Sequence, residues 1–280
     1  MNTTLGTAEL LYLDLLKKCL TRSIFDTALQ TDSSSLKRPA HKRWPPLRNF
    51  LGGFLPPLIG PLPVDSQQRM EGRDWPHQAE TMIGMRRLDN LQECVTEILG
   101  NQIPGDLIET GVWRGGASIF MRAVLKIYGD ASRRVWVADS FQGLPKPNAK
   151  QYPADRWNPL WMAPQLAVSM EEVKKNFSRY GLLDDQVCFL PGWFDETLPK
   201  VPIEKLAILR LDGDLYESTW CALEALYPKL SPGGYVIVDD YGSMPPCKEA
   251  IDTYRAQHRI EGPLQTIDWT GVYWKKGPGA

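Results

Sequence analysis

Four aspartates carry the most pointed chemistry in this sequence. Asp212 and Asp214 follow the apolar run 206–211, and Asp239 and Asp240 follow the apolar run 235–238. If the two runs are neighbouring strands of a parallel sheet, their ends bring four carboxylates to one edge. Like charges that close disfavour one another's ionised state, so the cluster calls for a cation. Hard oxygen donors select Mg²⁺ or Mn²⁺. In the competing reading Asp212 and Asp239 cap helices while Asp214 and Asp240 face water, and the apolar runs before both pairs weigh against it. A metal held by Asp212, Asp239 and Asp240 leaves Asp214 as a candidate general base. Such a site suits a hydroxyl nucleophile, because a Lewis acid lowers the pKa of an alcohol that is otherwise too high for attack.

A second set of residues reads as a nucleoside-binding edge. The segment DLIETGVWRGGAS is a strand, a glycine-rich turn and a helix start, where a ligand can approach backbone amides. Gly111 is followed by Gly115 and Gly116, which is neither the GxGxxG dinucleotide spacing nor a P-loop. Glu109 beside the turn repels a pyrophosphate and attracts a sulfonium, which points to S-adenosylmethionine rather than NAD or ATP. Asp139 ends the next strand, where an acid accepts hydrogen bonds from ribose hydroxyls. Gly192, Trp193 and Phe194 after the third strand offer a turn and aromatic surface for an adenine ring. Other candidates are weaker. His41, His77 and His258 sit at no strand end, and Cys188 and Cys221 fall where burial is the default.

Positioning these groups requires repeated βα units. Strands are expected at 107–109, 135–139, 187–190, 206–211, 235–238, 264–267 and 272–274, and helices at 116–127, 171–180, 218–226 and 247–258. This alternation predicts an α/β fold with a mostly parallel seven-stranded sheet and ligands at the carboxyl ends of its strands. The last two strands read as a terminal antiparallel hairpin. Residues 1–100 follow a different grammar, giving a boundary near 101–106 between an N-terminal helical and lid region and a catalytic domain at 101–280. Helices are expected at 8–20 and 78–99, the second ending at Gly100. Between them, residues 36–64 hold five cations, no acid and all seven of the prolines found between Gln30 and Asp65, which predicts a linker, lid or arm.

Composition narrows the class. The 280 residues are 43% apolar, with 32 basic side chains against 33 acidic ones, so one large core is expected and no phosphate-coating surface. Nucleic acid is therefore not an expected partner. The apolar stretch 50–64 is short and interrupted by proline, so no membrane span is expected. Five scattered cysteines without CxxC spacing, and an N-terminus without signal-peptide grammar, predict a soluble protein of a reducing cytoplasm.

Several motifs carry a resemblance. The runs 11–20 (LYLDLLKKCL), 79–84 (AETMIG), 108–116 (IETGVWRGG), 139–145 (DSFQGLP) and 211–219 (LDGDLYEST), with Asp239-Asp240-Tyr241, are similar to the macrocin O-methyltransferase (TylF/MycF) family. The resemblance runs from about residue 10 to the C-terminus. It implies a Rossmann-like class I S-adenosylmethionine methyltransferase fold and Mg²⁺-dependent methylation of sugar hydroxyls on glycosylated natural products, with homodimers common in the family. It implies Asp212, Asp239 and Asp240 as metal ligands and Asp214 as the base. Cofactor contacts are implied for Thr81 and Met82 at a helix start, for Glu109, Thr110, Gly111, Val112 and Trp113, and for Asp139, Ser140, Phe141, Gln142 and Gly143. Ser118, Gly192, Trp193 and Asp212 are further expected cofactor contacts beside those the resemblance implies. Residues 36–64 are longer than the family's usual connection. A catechol or other vicinal diol chelates a metal as well as a sugar does, and Tyr152, Trp157 and Trp161 suit stacking on either. A noncatalytic binding protein of the same fold is the third reading, and it predicts loss of one of the four acids, all of which are present.

Overall fold

The computed structural model describes residues 5–24, 66–74, 76 and 78–278. The expected arm at 36–64, with His41 and His77, lies outside them. Five strands run parallel: β1 (Asp106–Thr110), β2 (Val135–Asp139), β3 (Val187–Pro191), β4 (Leu206–Leu211) and β5 (Leu230–Val238). The short β6 (Gln265–Thr266) pairs antiparallel with β7 (Val272–Lys275), which pairs antiparallel with β5. The seven-stranded order is β3-β2-β1-β4-β5-β7-β6, the expected mixed sheet. Every residue of β4 is buried, as a parallel strand covered on both faces requires.

Two apolar layers cover the sheet. One contains α1 (Thr7–Leu20), α3 (Met85–Gly100) and α4 (Gly116–Ile127), whose Leu16, Leu91 and Phe120 share a cluster with Leu107, Val137 and Ile208. The short α2 (Ser66–Glu71) precedes α3, and α5 (Met170–Arg179) packs Val173 and Phe177 into the same layer. The opposite layer is built by α7 (Tyr216–Leu226) and α8 (Pro245–Gln257), with Leu223, Leu226, Ile251 and Tyr254 against Leu209, Val236 and Trp274. A single turn, α6 (Phe194–Thr197), follows β3. No helix among the described residues is long and apolar enough to cross a membrane.

Three elements depart from expectation. The helix anticipated from residue 78 begins at Met85, so Thr81 and Met82 stand in an irregular lead-in. Its backbone groups are engaged elsewhere. The Glu80 N–H donates to the Leu20 carbonyl at 3.0 Å, the Gly116 N–H donates to the Glu80 carbonyl at 2.9 Å, and Arg69 Nη2 donates to the Met82 carbonyl at 2.7 Å. A helix needs those same groups for its own ladder. Strand β5 begins at Leu230 rather than residue 235, with an irregularity in its pairing to β4 that absorbs the Ser-Pro-Gly-Gly stretch. The connection from β2 to α5 folds into three single 3₁₀ turns, Pro153–Asp155, Leu160–Met162 and Pro164–Leu166, where no element was anticipated.

Candidate active site

Parallel register assembles the acid cluster. Leu211 of β4 lies opposite Val238 of β5, so Asp212 and the Asp239-Asp240 pair leave adjacent strands side by side. One carboxylate oxygen from each of Asp212, Asp239 and Asp240 lies within 4.8 Å of the others. Asp214 completes the group with a left-handed backbone, φ 59°, and its N–H donates to Asp240 Oδ2 at 3.1 Å. That conformation is rare outside glycine, and it marks a loop over-determined by its surroundings.

The cation that this cluster calls for is supplied in part by the protein itself, through two buried arginines. Arg210 of β4 stands opposite Glu109 of β1 in register and donates to Glu109 Oε1 at 2.7 Å, to Asp212 Oδ2 at 2.7 Å and to Asp239. Arg87 of α3 donates to the other oxygen of Asp239 and, at 3.0 Å, to Asp268. Sequence reasoning missed both. A charged residue inside the apolar run LAILRL was the available signal, since a buried charge must be paired. Among the described residues no cationic side chain pairs with Asp214 or Asp240.

Burial and mutual repulsion move these acids in one direction. Burial, then the charges of Asp212 and Asp239, pushes the Asp214 carboxyl up to about 7. Burial and Asp239 raise Asp212 to about 6 against the pull of Arg210. Asp240 lies well above the ordinary carboxylate value, chiefly through burial and then through Asp214. Glu109, 2% exposed, is pushed by burial up to about 7 despite Arg210. Its carboxylate is turned to Arg210 and Ser118, whose Oγ donates to Glu109 Oε2. Both oxygens are thus engaged within the protein rather than facing the turn.

Beside the acids lies a cavity of about 560 Å³ at the carboxyl ends of the strands. Its wall includes the predicted Met82, Gly111, Trp113, Asp139, Ser140, Gln142, Gly143, Gly192, Trp193, Asp212 and Asp214. Gly111 has φ 86°, and a Cβ there would stand 1.8 Å from the Asp212 carbonyl oxygen, so this turn and the acid loop interlock only through glycine. Asp139 Oδ1 accepts the Phe141 N–H at 2.7 Å and Oδ2 accepts the Val112 N–H at 2.8 Å, which ties the first two strand-end turns together. Burial raises its pKa while these amides oppose the shift.

Thr81, Glu109, Thr110, Val112, Ser118, Phe141, Asp239 and Asp240 are not on this wall. Thr81 is buried beside Gly116 at the start of α4, and its hydroxyl accepts the Ile83 N–H at 3.2 Å. Phe141 packs on Phe189 with ring centroids 6.2 Å apart. Of the anticipated aromatics, Trp157 is 86% exposed and Tyr152 lies against Tyr216 at 6.0 Å, and neither lines the cavity. Trp161, under Lys146, is also off the wall. Wall residues that were not anticipated include Lys146, Asn148, Asp195, Glu217 and Cys221. All five cysteines are free, and Cys188 and Cys221 are half-buried rather than fully buried.

Comparison with known proteins agrees with this geometry. The family Macrocin-O-methyltransferase (TylF) matches residues 9–276. The 8-demethyl-8-(2,3-dimethoxy-alpha-L-rhamnosyl)-tetracenomycin-C 4'-O-methyltransferase of Streptomyces olivaceus is 51% identical over 266 residues, 95% of this chain and 92% of that protein. The mycinamicin III 3''-O-methyltransferase of Micromonospora griseorubida is 46% identical, covering 95% and 96%. The solved O-methyltransferase NovP superposes with a TM-score of 0.82 at 49% identity, covering 96% of this chain and all of that one. The calicheamicin methyltransferase CalS11, at 21% identity and a TM-score of 0.58, shares the fold. The chain belongs to the macrocin O-methyltransferase (TylF) family, has the class I S-adenosylmethionine methyltransferase fold, and is an O-methyltransferase.

Proposed function

We propose that the protein moves a methyl group from S-adenosylmethionine to a sugar hydroxyl of a glycosylated natural product, with Asp214 as general base and Asp212, Asp239 and Asp240 holding Mg²⁺ or Mn²⁺. The observation that carries this reading is one cavity bordered both by the Gly111–Asp139 edge and by Asp212 and Asp214. Relatives that act on a rhamnosyl tetracenomycin and on mycinamicin support the acceptor class.

The donor set fits a hard ion: three carboxylate oxygens lie close together, and the arginines leave Asp240 uncompensated. Such an ion, when bound, supplies Lewis acidity toward an alcohol. The chain's own residues do the rest. Asp139, held by two backbone amides, presents its remaining lone pairs to ribose hydroxyls. The Gly111 turn lets the donor approach the backbone, and Trp193 offers a ring face to adenine. Asp214 takes the proton of the acceptor hydroxyl on a carboxylate oxygen as the new C–O bond forms and the methyl–sulfur bond of the donor breaks, leaving S-adenosylhomocysteine.

The test is product analysis. The chain is incubated with S-adenosylmethionine, Mg²⁺ and a panel of deoxysugar glycosides and catechols, and products are read by mass spectrometry and NMR. The expected product carries one added methyl group on a sugar oxygen. Methylation of catechols alone would overturn the acceptor class while leaving the transferase intact.

A further inference from the structure

Glu217 lies three residues beyond Asp214, in the first turn of α7, and lines the same cavity. Its backbone is fixed from outside the helix. The Tyr216 N–H donates to Asp155 Oδ1 at 2.7 Å and the Glu217 N–H donates to Asp155 Oδ2 at 3.0 Å. Asp155, 0% exposed, belongs to the turn Pro153–Asp155 in the connection that also supplies Lys146 and Asn148 to the cavity wall. The position of Glu217 is therefore set by the same segment that supplies Lys146 and Asn148 to the cavity wall.

The Glu217 carboxylate, like that of Asp214, has no hydrogen-bond partner among the described residues. By contrast, Asp139 receives two amides and Asp212 receives Arg210. It is half-buried, and burial, then Asp155 and Asp195, raises its pKa. A carboxylate that loses water without gaining a donor costs free energy, and a ligand hydroxyl removes that cost by donating to it. Two carboxylates three residues apart, one taking a proton and one only accepting a hydrogen bond, match two hydroxyls of one sugar ring.

We propose that Glu217 orients the acceptor by accepting a hydrogen bond from a hydroxyl neighbouring the one that is methylated, so that the preferred acceptor ring carries two adjacent free hydroxyls. The proposal rests on the sugar reading above. In this role Glu217 determines specificity and takes no part in the proton transfer.

The test compares wild type, Glu217→Gln and Glu217→Ala on 4-nitrophenyl α-L-rhamnoside and its monodeoxy analogues, each lacking one ring hydroxyl. On the parent rhamnoside the acceptor KM of both variants rises roughly tenfold or more, as expected for loss of a hydrogen bond to a charged group, while kcat stays within about threefold. The S-adenosylhomocysteine dissociation constant is unchanged, which reports an intact fold. On the analogue lacking the partner hydroxyl, the KM values of wild type and Glu217→Gln converge. An unchanged KM on the parent, or the same loss on every analogue, overturns the role of Glu217 while wild-type turnover leaves the sugar reading standing. Absence of wild-type methylation on all of these rhamnosides overturns that reading and the proposal with it.

Discussion

At the scale of single residues the site is a set of acids held more protonated than usual. Glu109 and Asp214 are raised to about 7 and Asp212 to about 6, mainly by burial. Their folded-state pKa values exceed the unfolded ones, so the native state binds more protons than the unfolded chain across that interval. Stability therefore falls as pH rises from about 4.5 to about 7, the opposite of an ordinary salt-bridged carboxylate. In thermal melts with chelator present, the midpoint should drop over that range, and Mg²⁺ should restore it most at the upper end. A midpoint indifferent to both pH and Mg²⁺ would contradict this electrostatic account. Asp214→Asn should lower kcat by about 10²–10⁴, the usual worth of general acid–base catalysis, with the donor dissociation constant unchanged. A wild-type kcat would remove Asp214 from the base role. The four aspartates were legible because each pair follows an apolar run. Arg87 was not, since its partner Asp239 lies 152 positions away in the chain.

Elements succeed or fail by where their backbone groups find partners. Helix α7 starts at Tyr216 without a capping side chain of its own, and Asp155 supplies the cap from a distant turn. Asp155→Ala should cost about 0.5–2 kcal/mol, the usual worth of a cap, read as a lower thermal midpoint. A larger proportional loss in acceptor KM than in donor affinity would follow from loosening the Glu217 end of the helix, and an unaltered midpoint would deny the cap its role. No local pattern foretells this contact, because Asp155 lies outside any periodic segment. The early start anticipated for α3 failed for a related reason. Residues 79–83 carry apolar spacing that reads as helix, yet their amides and carbonyls bond to Leu20, Gly116 and Arg69. The β1–α4 turn was legible in kind, since Gly111 admits no side chain, but its contact with the Asp212 carbonyl appears only when β1 and β4 pair.

Across the whole molecule, a mostly parallel sheet gathers residues from 82 to 221 around one cavity and sets a polar edge beside it. The alternation of apolar runs and amphipathic segments sufficed for the sheet, because parallel strands buried on both faces leave an unmistakable pattern. Part of the cavity wall was less legible, since residues 144–146, Asn148, Leu166 and α6 contribute to it from irregular or single-turn segments. The most direct measurement of the central claim is a single turnover with radiolabelled S-adenosylmethionine and a deoxysugar glycoside, run with Mg²⁺ and again after chelation. The predicted result is label on a sugar oxygen with Mg²⁺ and a rate lower by orders of magnitude after chelation, while the donor stays bound. Equal transfer after chelation would contradict the metal role of Asp212, Asp239 and Asp240, and failure to bind the donor in either condition would contradict the site itself.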